Sequence, residues 1–237
     1  MNGNEFSQYI DRLVAGEITE VDRRFVYPYL SRSLNGKNQE AELPRIGEAL
    51  VKMAGSKNIK LRVLEKTIWQ LVCDIPLHMS IETHLDGDEW IALHADTHYP
   101  ESDRRICSQL LGLALKFLDL PNDGSKAAEV RRAGALEILA DLITYYAIPE
   151  AKPAFLSSVR SKNMGECAAA LEGLVNYYSF YDDEIESGLE EVLQKILAKT
   201  DDEEVAANCL YIQFITGVIS DGETVREMDD WKERHRR

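Results

Sequence analysis

Apolar side chains recur along this chain at helical spacing in block after block, separated by short polar or glycine-bearing links. Phe6, Ile10, Leu13 and Val14 form the first stripe, and Gly16 stands where a glycine closes a helix in the left-handed conformation. Thr19 followed by Asp22 opens a second helix through Val21, Phe25 and Val26. Pro28 lacks the amide needed to continue it. Leu43, Ile46, Leu50 and Met53 mark a third helix ending at Gly55. Asn58 reads as the N-cap of a longer one through Leu61, Leu64, Ile68, Leu71, Val72 and Ile75.

Beyond Pro100 the segment 103–120 is apolar all round, the pattern of a well-buried helix. In 126–146, Val130, Ala133, Leu136, Leu139, Leu142 and Ile143 lie on one side. A short helix follows Pro153, with Phe155, Leu156 and Val159. A helix rich in small residues then runs from Asn163 through Cys167, Ala170, Leu171 and Leu174. Asp182 or Asp183 is placed to cap the next, which carries Ile185, Leu189, Val192, Leu193 and Ile196. Asp201 or Asp202 opens another through Val205, Cys209 and Ile212, and a last helix follows Asp221-Gly222. No stretch alternates apolar and polar residues for the length of a strand, so the predicted class is all-α.

The C-terminal half repeats itself. The order long helix, short helix occurs three times, over 126–160, 163–199 and 203–235. Ala133-x-Ala135-Leu136-Glu137-x-Leu139 is matched 35 residues on by Ala168-x-Ala170-Leu171-Glu172-x-Leu174, and Ala206, Cys209 and Ile212 follow Ala168, Leu171 and Leu174 at 38. Glu129-Val130-Arg131-Arg132-x-x-Ala135-Leu136 resembles the first helix of HEAT and armadillo-type repeats. That resemblance implies an α-solenoid of HEAT-like helical hairpins. An irregular multi-helix bundle is the alternative arrangement of the same helices. We read 1–237 as one helical domain: N-terminal helices in 1–75, a connecting segment rich in histidine and acid in 76–100, and HEAT-like helix pairs in 101–237.

Charge narrows the choice of partners. The chain carries 41 acids against 27 Lys and Arg, a net charge of −14, which repels nucleic-acid phosphates and anionic membrane surfaces and favours a basic protein partner. Ten acids and two lysines lie between 182 and 204. No apolar run reaches the roughly 20 residues of a membrane span, and the first residues have neither the basic start nor the apolar core of a secretory signal. The four cysteines are scattered among apolar residues with no C-x-x-C pair, as buried thiols of a reducing compartment are. A cytoplasmic protein is expected.

Two stretches offer candidate chemistry. His84, His94, Asp96 and His98 lie in the connecting segment, and on a helix His94 and His98 would share a face at a spacing that binds one metal ion. The H-E-x-x-H pattern of zinc peptidases is absent. The aromatics Tyr145, Tyr177, Tyr178 and Tyr181 fall at the C-terminal ends of two successive long helices, next to Asp182, Asp183, Glu184 and Glu186. On one rim of a solenoid they would offer stacking surface and negative charge to lysine or arginine. Asp182-Asp183-x-x-Glu186 also matches the diacid pattern of class I isoprenoid synthases, but no second metal motif follows and helix capping accounts for the acids. The sequence calls for no cofactor and contains no nucleotide-binding loop or serine-hydrolase elbow. The expected function is a non-enzymatic protein-binding module of adaptor, chaperone or inhibitor type. A metal-dependent all-α enzyme using the histidine segment is the alternative.

Overall fold

The computed structural model describes residues 3–18, 28–29, 39–64, 101–146, 148–181 and 184–235, with the backbone alone for 39–41, 43, 101–107 and 144–146. These residues form helices joined by turns and short irregular links and include no strand. The helices are α1 (Gly3–Val14), α2 (Gln39–Ala54), α3 (Glu101–Asp119), α4 (Lys126–Tyr146), α5 (Lys152–Ser158), α6 (Met164–Phe180), α7 (Leu189–Leu197), α8 (Glu203–Ile215) and α9 (Asp221–His235). A 3₁₀ turn, Pro149–Ala151, precedes α5. The predicted helix at 19–26, most of that at 58–75 and the whole of 76–100 lie outside the described residues.

Local chemistry sets the boundaries. Gly16 adopts φ +77° after α1, and the Gly16 and Glu17 amides donate to Leu13 and Arg12, as the sequence predicts for a glycine-closed helix. Asn163 caps α6 by accepting from the Glu166 amide, and Asp202, not Asp201, caps α8. Asn58 departs from expectation. Its side-chain amide donates to the Val14 carbonyl at 2.7 Å and so closes the C-terminus of α1 instead of opening the next helix. The helix expected from 183 begins only at Leu189, with Gly188 in the left-handed region at its N-cap. Glu186, which would lie in that helix, is instead drawn away to Lys152 and Tyr178.

Packing follows chain order. Helix α1 lies on α2, α2 on α3, α3 on α4, and α4 on α6, which in turn packs on α8. The shorter α5 packs on α6, while α7 and α9 both pack on α8. Three of the pairs matched at 35 form the inner faces of α4 and α6: Ala135 with Ala170, Leu136 with Leu171 and Leu139 with Leu174 are all fully buried. Ala206, Cys209 and Ile212 of α8 are buried at the corresponding places. Phe155 of α5 presses on α6 at Gly173, where any Cβ would overlap its ring.

Two adjacent arginines of α4 tie these helices at their ends. Arg131 is 4% exposed and has only backbone carbonyls as hydrogen-bond acceptors among the described residues: Phe117 at 3.0 Å, Leu120 at 3.1 Å, Pro121 at 2.8 Å and, more weakly, Ala54 at 3.4 Å. It thereby satisfies the orphan carbonyls at the C-terminal ends of α2 and α3, where the helix dipoles favour a cation. Arg132 donates to the Leu118 carbonyl at 2.7 Å and grips Glu166 of α6 at 2.7 and 2.9 Å. Burial alone would raise the Glu166 pKa. The hydrogen bonds from Arg132 and Ser161, with the charge of Arg132, outweigh it and hold the carboxyl below its ordinary value.

Arg131→Ala strands buried carbonyls and is expected to cost about 3–5 kcal/mol in urea unfolding. Arg131→Lys should cost roughly half as much, since one ammonium cannot span both helix ends. A cost below about 1 kcal/mol for the alanine variant would contradict this role. Gly173→Ala is expected to cost about 1–3 kcal/mol by displacing Phe155, read as a lowered unfolding midpoint with unchanged slope.

Candidate partner-binding face

Of the residues singled out in the sequence, the histidine segment with His84, His94, Asp96 and His98 lies outside the described residues, as do Asp182 and Asp183. Tyr145 belongs to the last turn of α4, where only the backbone is described. Among the described residues no group of three or more His, Cys, Asp or Glu side chains is arranged to hold a metal ion.

Tyr177, Tyr178, Tyr181 and Glu186 are brought together, but not as a free rim. Tyr177 and Tyr178 are each 5% exposed. Tyr181 stacks on Tyr177 at 4.6 Å between ring centres, and Tyr178 meets Tyr177 edge-on at 5.4 Å. The Lys152 ammonium sits 4.4 Å from the centre of the Tyr177 ring and 5.0 Å from that of Tyr178, and pairs with Glu186. Tyr178 donates its hydroxyl proton to the same carboxylate. Burial, then this hydrogen bond, pushes the Tyr178 phenol well above its ordinary pKa. The aromatic-acidic box expected to grip a partner's cation is therefore occupied by a lysine of the chain itself, which corrects the expectation of an open tyrosine rim. Among the described side chains of the set, Glu184 alone is exposed. The physical reason is the short link between α4 and α5, which carries Lys152 back over the end of α6.

A different acidic surface runs across α4, α6 and α8. Glu137 and Asp141 of α4 are half-buried, and Glu172 of α6 and Glu204 of α8 are exposed. These four carboxylates have no hydrogen-bonding or ion-pair partner among the described residues. Their electrostatics are mutual. Burial followed by the charges of Glu172 and Glu137 raises Asp141 to about 7, burial and Glu172 raise Glu137, and burial and Glu204 raise Glu172. Between them, Asn176 of α6 donates to the Ala140 carbonyl of α4 at 3.3 Å. Two turns along α8 from Glu204, Tyr211 is 43% exposed and its ring lies 6.2 Å from that of Phe214, itself 38% exposed.

None of these six residues entered the sequence-based candidate set. Glu137 and Glu172 were nevertheless visible as identical letters of the 35-residue match. The buried thiols Cys167 and Cys209 have pKa values raised by burial to about 11 and about 12, so they are protonated and unreactive at neutral pH. No family model, curated protein or solved structure matches this chain.

Because the folded-state pKa of Asp141 lies above its ordinary value, its ionisation favours unfolding. The penalty is absent below about pH 4 and grows as the pH rises to about 7. Glu166 has the opposite sign: its stabilisation is present at neutral pH and is lost as the pH falls through its depressed value. Asp141→Asn is expected to stabilise the chain at pH 8 by on the order of 1 kcal/mol, allowing for solvent screening, a rise in Tm of about 2–4 °C. The gain should vanish near pH 4. Thermal melts at both pH values check this, and a gain independent of pH would contradict it.

Proposed function

We propose that this chain is a non-enzymatic protein-binding module, an acidic α-solenoid of HEAT-like helical hairpins that docks a basic partner on the face formed by α4, α6 and α8. The observation that carries the reading is the row of carboxylates Glu137, Asp141, Glu172 and Glu204 on helices packed in the order α4, α6, α8: burial and the charge of their neighbours raise the pKa of the first three, and none of the four has an ion-pair partner among the described residues. A lysine- or arginine-rich segment laid across the row would relieve that repulsion, and the exposed pair Tyr211 and Phe214 beside it offers rings for cations and apolar stems. The solenoid reading is supported by the succession α4, α6 and α8, in which α6 packs on α4 and α8 on α6, with the shorter α5 and α7 between them; the long-short order expected of the third unit is not kept, since α9 has 15 residues and α8 has 13. The net charge of −14 favours the same class of partner at long range. A location in the cytoplasm is part of this proposal.

A fluorescein-labelled peptide of alternating arginine and alanine tests it. The wild-type chain is expected to bind at low salt, and more weakly as salt rises. The variant Glu137→Gln/Glu172→Gln/Glu204→Gln should bind about tenfold more weakly or worse, while Glu190→Gln/Asp229→Gln/Glu233→Gln, which removes the same charge elsewhere, should bind nearly as well as wild type. Equal losses in both variants, or no binding by the wild type at low salt, would overturn the assignment.

A further inference from the structure

The chain is acidic, yet one cavity in it is ringed by cations. It opens between the C-terminal end of α5, the start of α6 and the outer side of α7, and has a volume of about 430 Å³. Its floor is apolar, built from Val159, Cys167, Val192 and Ile196. Its rim carries Arg160, Lys162, Lys195 and Lys199, and no Asp or Glu lines it.

The cations are not consumed by the fold. Lys162 and Lys199 have no ion-pair partner among the described residues. Lys195 reaches Glu191 only at 3.5 Å, with both side chains largely in solvent. Arg160, just past the end of α5, uses one nitrogen on the Leu156 carbonyl of that helix. The nearest buried acid, Glu166, is already committed to Arg132 and Ser161. The positive end of α6 begins at Met164, also on the lining, and adds to the same field.

We infer that this cavity is a binding site for a small amphiphilic anion, a free medium-chain alkyl carboxylate whose tail covers the apolar floor and whose head is held by Lys162 and Lys199. The volume lies at the lower end of the roughly 300–1,000 Å³ typical of small-molecule pockets, which suits one aliphatic tail and not the paired tails of a bilayer lipid. An apolar floor alone would accept any hydrophobe. The four cations select the charge of the head, and their long stems extend the apolar wall. The site is independent of the acidic face, whose basic ligands this rim would repel.

Calorimetric titration of the full chain with sodium decanoate, kept below micelle-forming concentration, tests the inference, with 1-decanol and decyltrimethylammonium as neutral and cationic counterparts. One molecule of decanoate is expected to bind per chain, at least about tenfold more tightly than hexanoate, decanol or the ammonium. Lys162→Glu/Lys199→Glu should weaken it about tenfold or more, while Lys57→Glu/Lys116→Glu, which makes the same change in net charge on exposed residues elsewhere, should leave it unchanged. Absence of binding, equal affinity for the three head groups, or equal losses in both variants would overturn it. Circular dichroism of each variant confirms that the helices are retained.

Discussion

Arg131 and Arg132 are neighbours on α4, and because successive helical residues point about 100° apart they reach in different directions. Arg131 turns back to the C-terminal ends of α2 and α3, and Arg132 bridges α3 to the start of α6. Helix ends leave carbonyls without partners, and burying three elements against one another removes the water that would otherwise serve them. A guanidinium, with five donors in a rigid fork, supplies several at once where a carboxylate partner would leave the carbonyls orphaned. The order of packing from α2 to α6 depends on this pair, since Arg131 and Arg132 between them contact every helix in that run except α5.

Once α4 and α6 are held side by side, their shared pattern has an electrostatic consequence. Alanines and leucines at matching places let the helices approach, and the same register brings Glu137 beside Glu172, with Glu204 of α8 next in line. The fold thus concentrates negative charge that no ion pair among the described residues neutralises. It treats other charges differently. Lys152 is enclosed by Tyr177, Tyr178 and Glu186, so this aromatic-acidic box serves to dock α5. On the side of α6 and α7 the sign reverses around an apolar cavity.

Helix positions were legible from apolar spacing and caps wherever the local signals agreed. Gly16, Asn163 and Asp202 each act where propensity places them. Sequence reasoning failed where a distant residue overrode the local preference. Asn58 is claimed by the end of α1, 44 residues away, and Glu186 by Lys152, so neither of these two residues lies in the helix expected around it. The tyrosine cluster was found, but its tenant was not, because nothing near Tyr177 in sequence points to Lys152. Of the carboxylate row only the pair Glu137 and Glu172 was legible, as identical letters 35 residues apart, whereas Asp141 and Glu204 have no matching acid in the sequence. Arg131 stood in the sequence only as part of a family resemblance. Its carbonyl partners lie on two other helices and carry no side-chain signature.

The account stands or falls on the register that sets Glu137 of α4 against Glu172 of α6. A double-mutant cycle with Glu137→Gln and Glu172→Gln, read by urea unfolding at pH 8, tests it directly. Each single substitution is expected to stabilise the chain, and the double to gain less than the two singles together by about 0.5 kcal/mol or more, because each removes the same repulsion. Additive effects within about 0.3 kcal/mol would mean that the two carboxylates do not meet, and would contradict both the stacking of the long helices and the acidic face built on it.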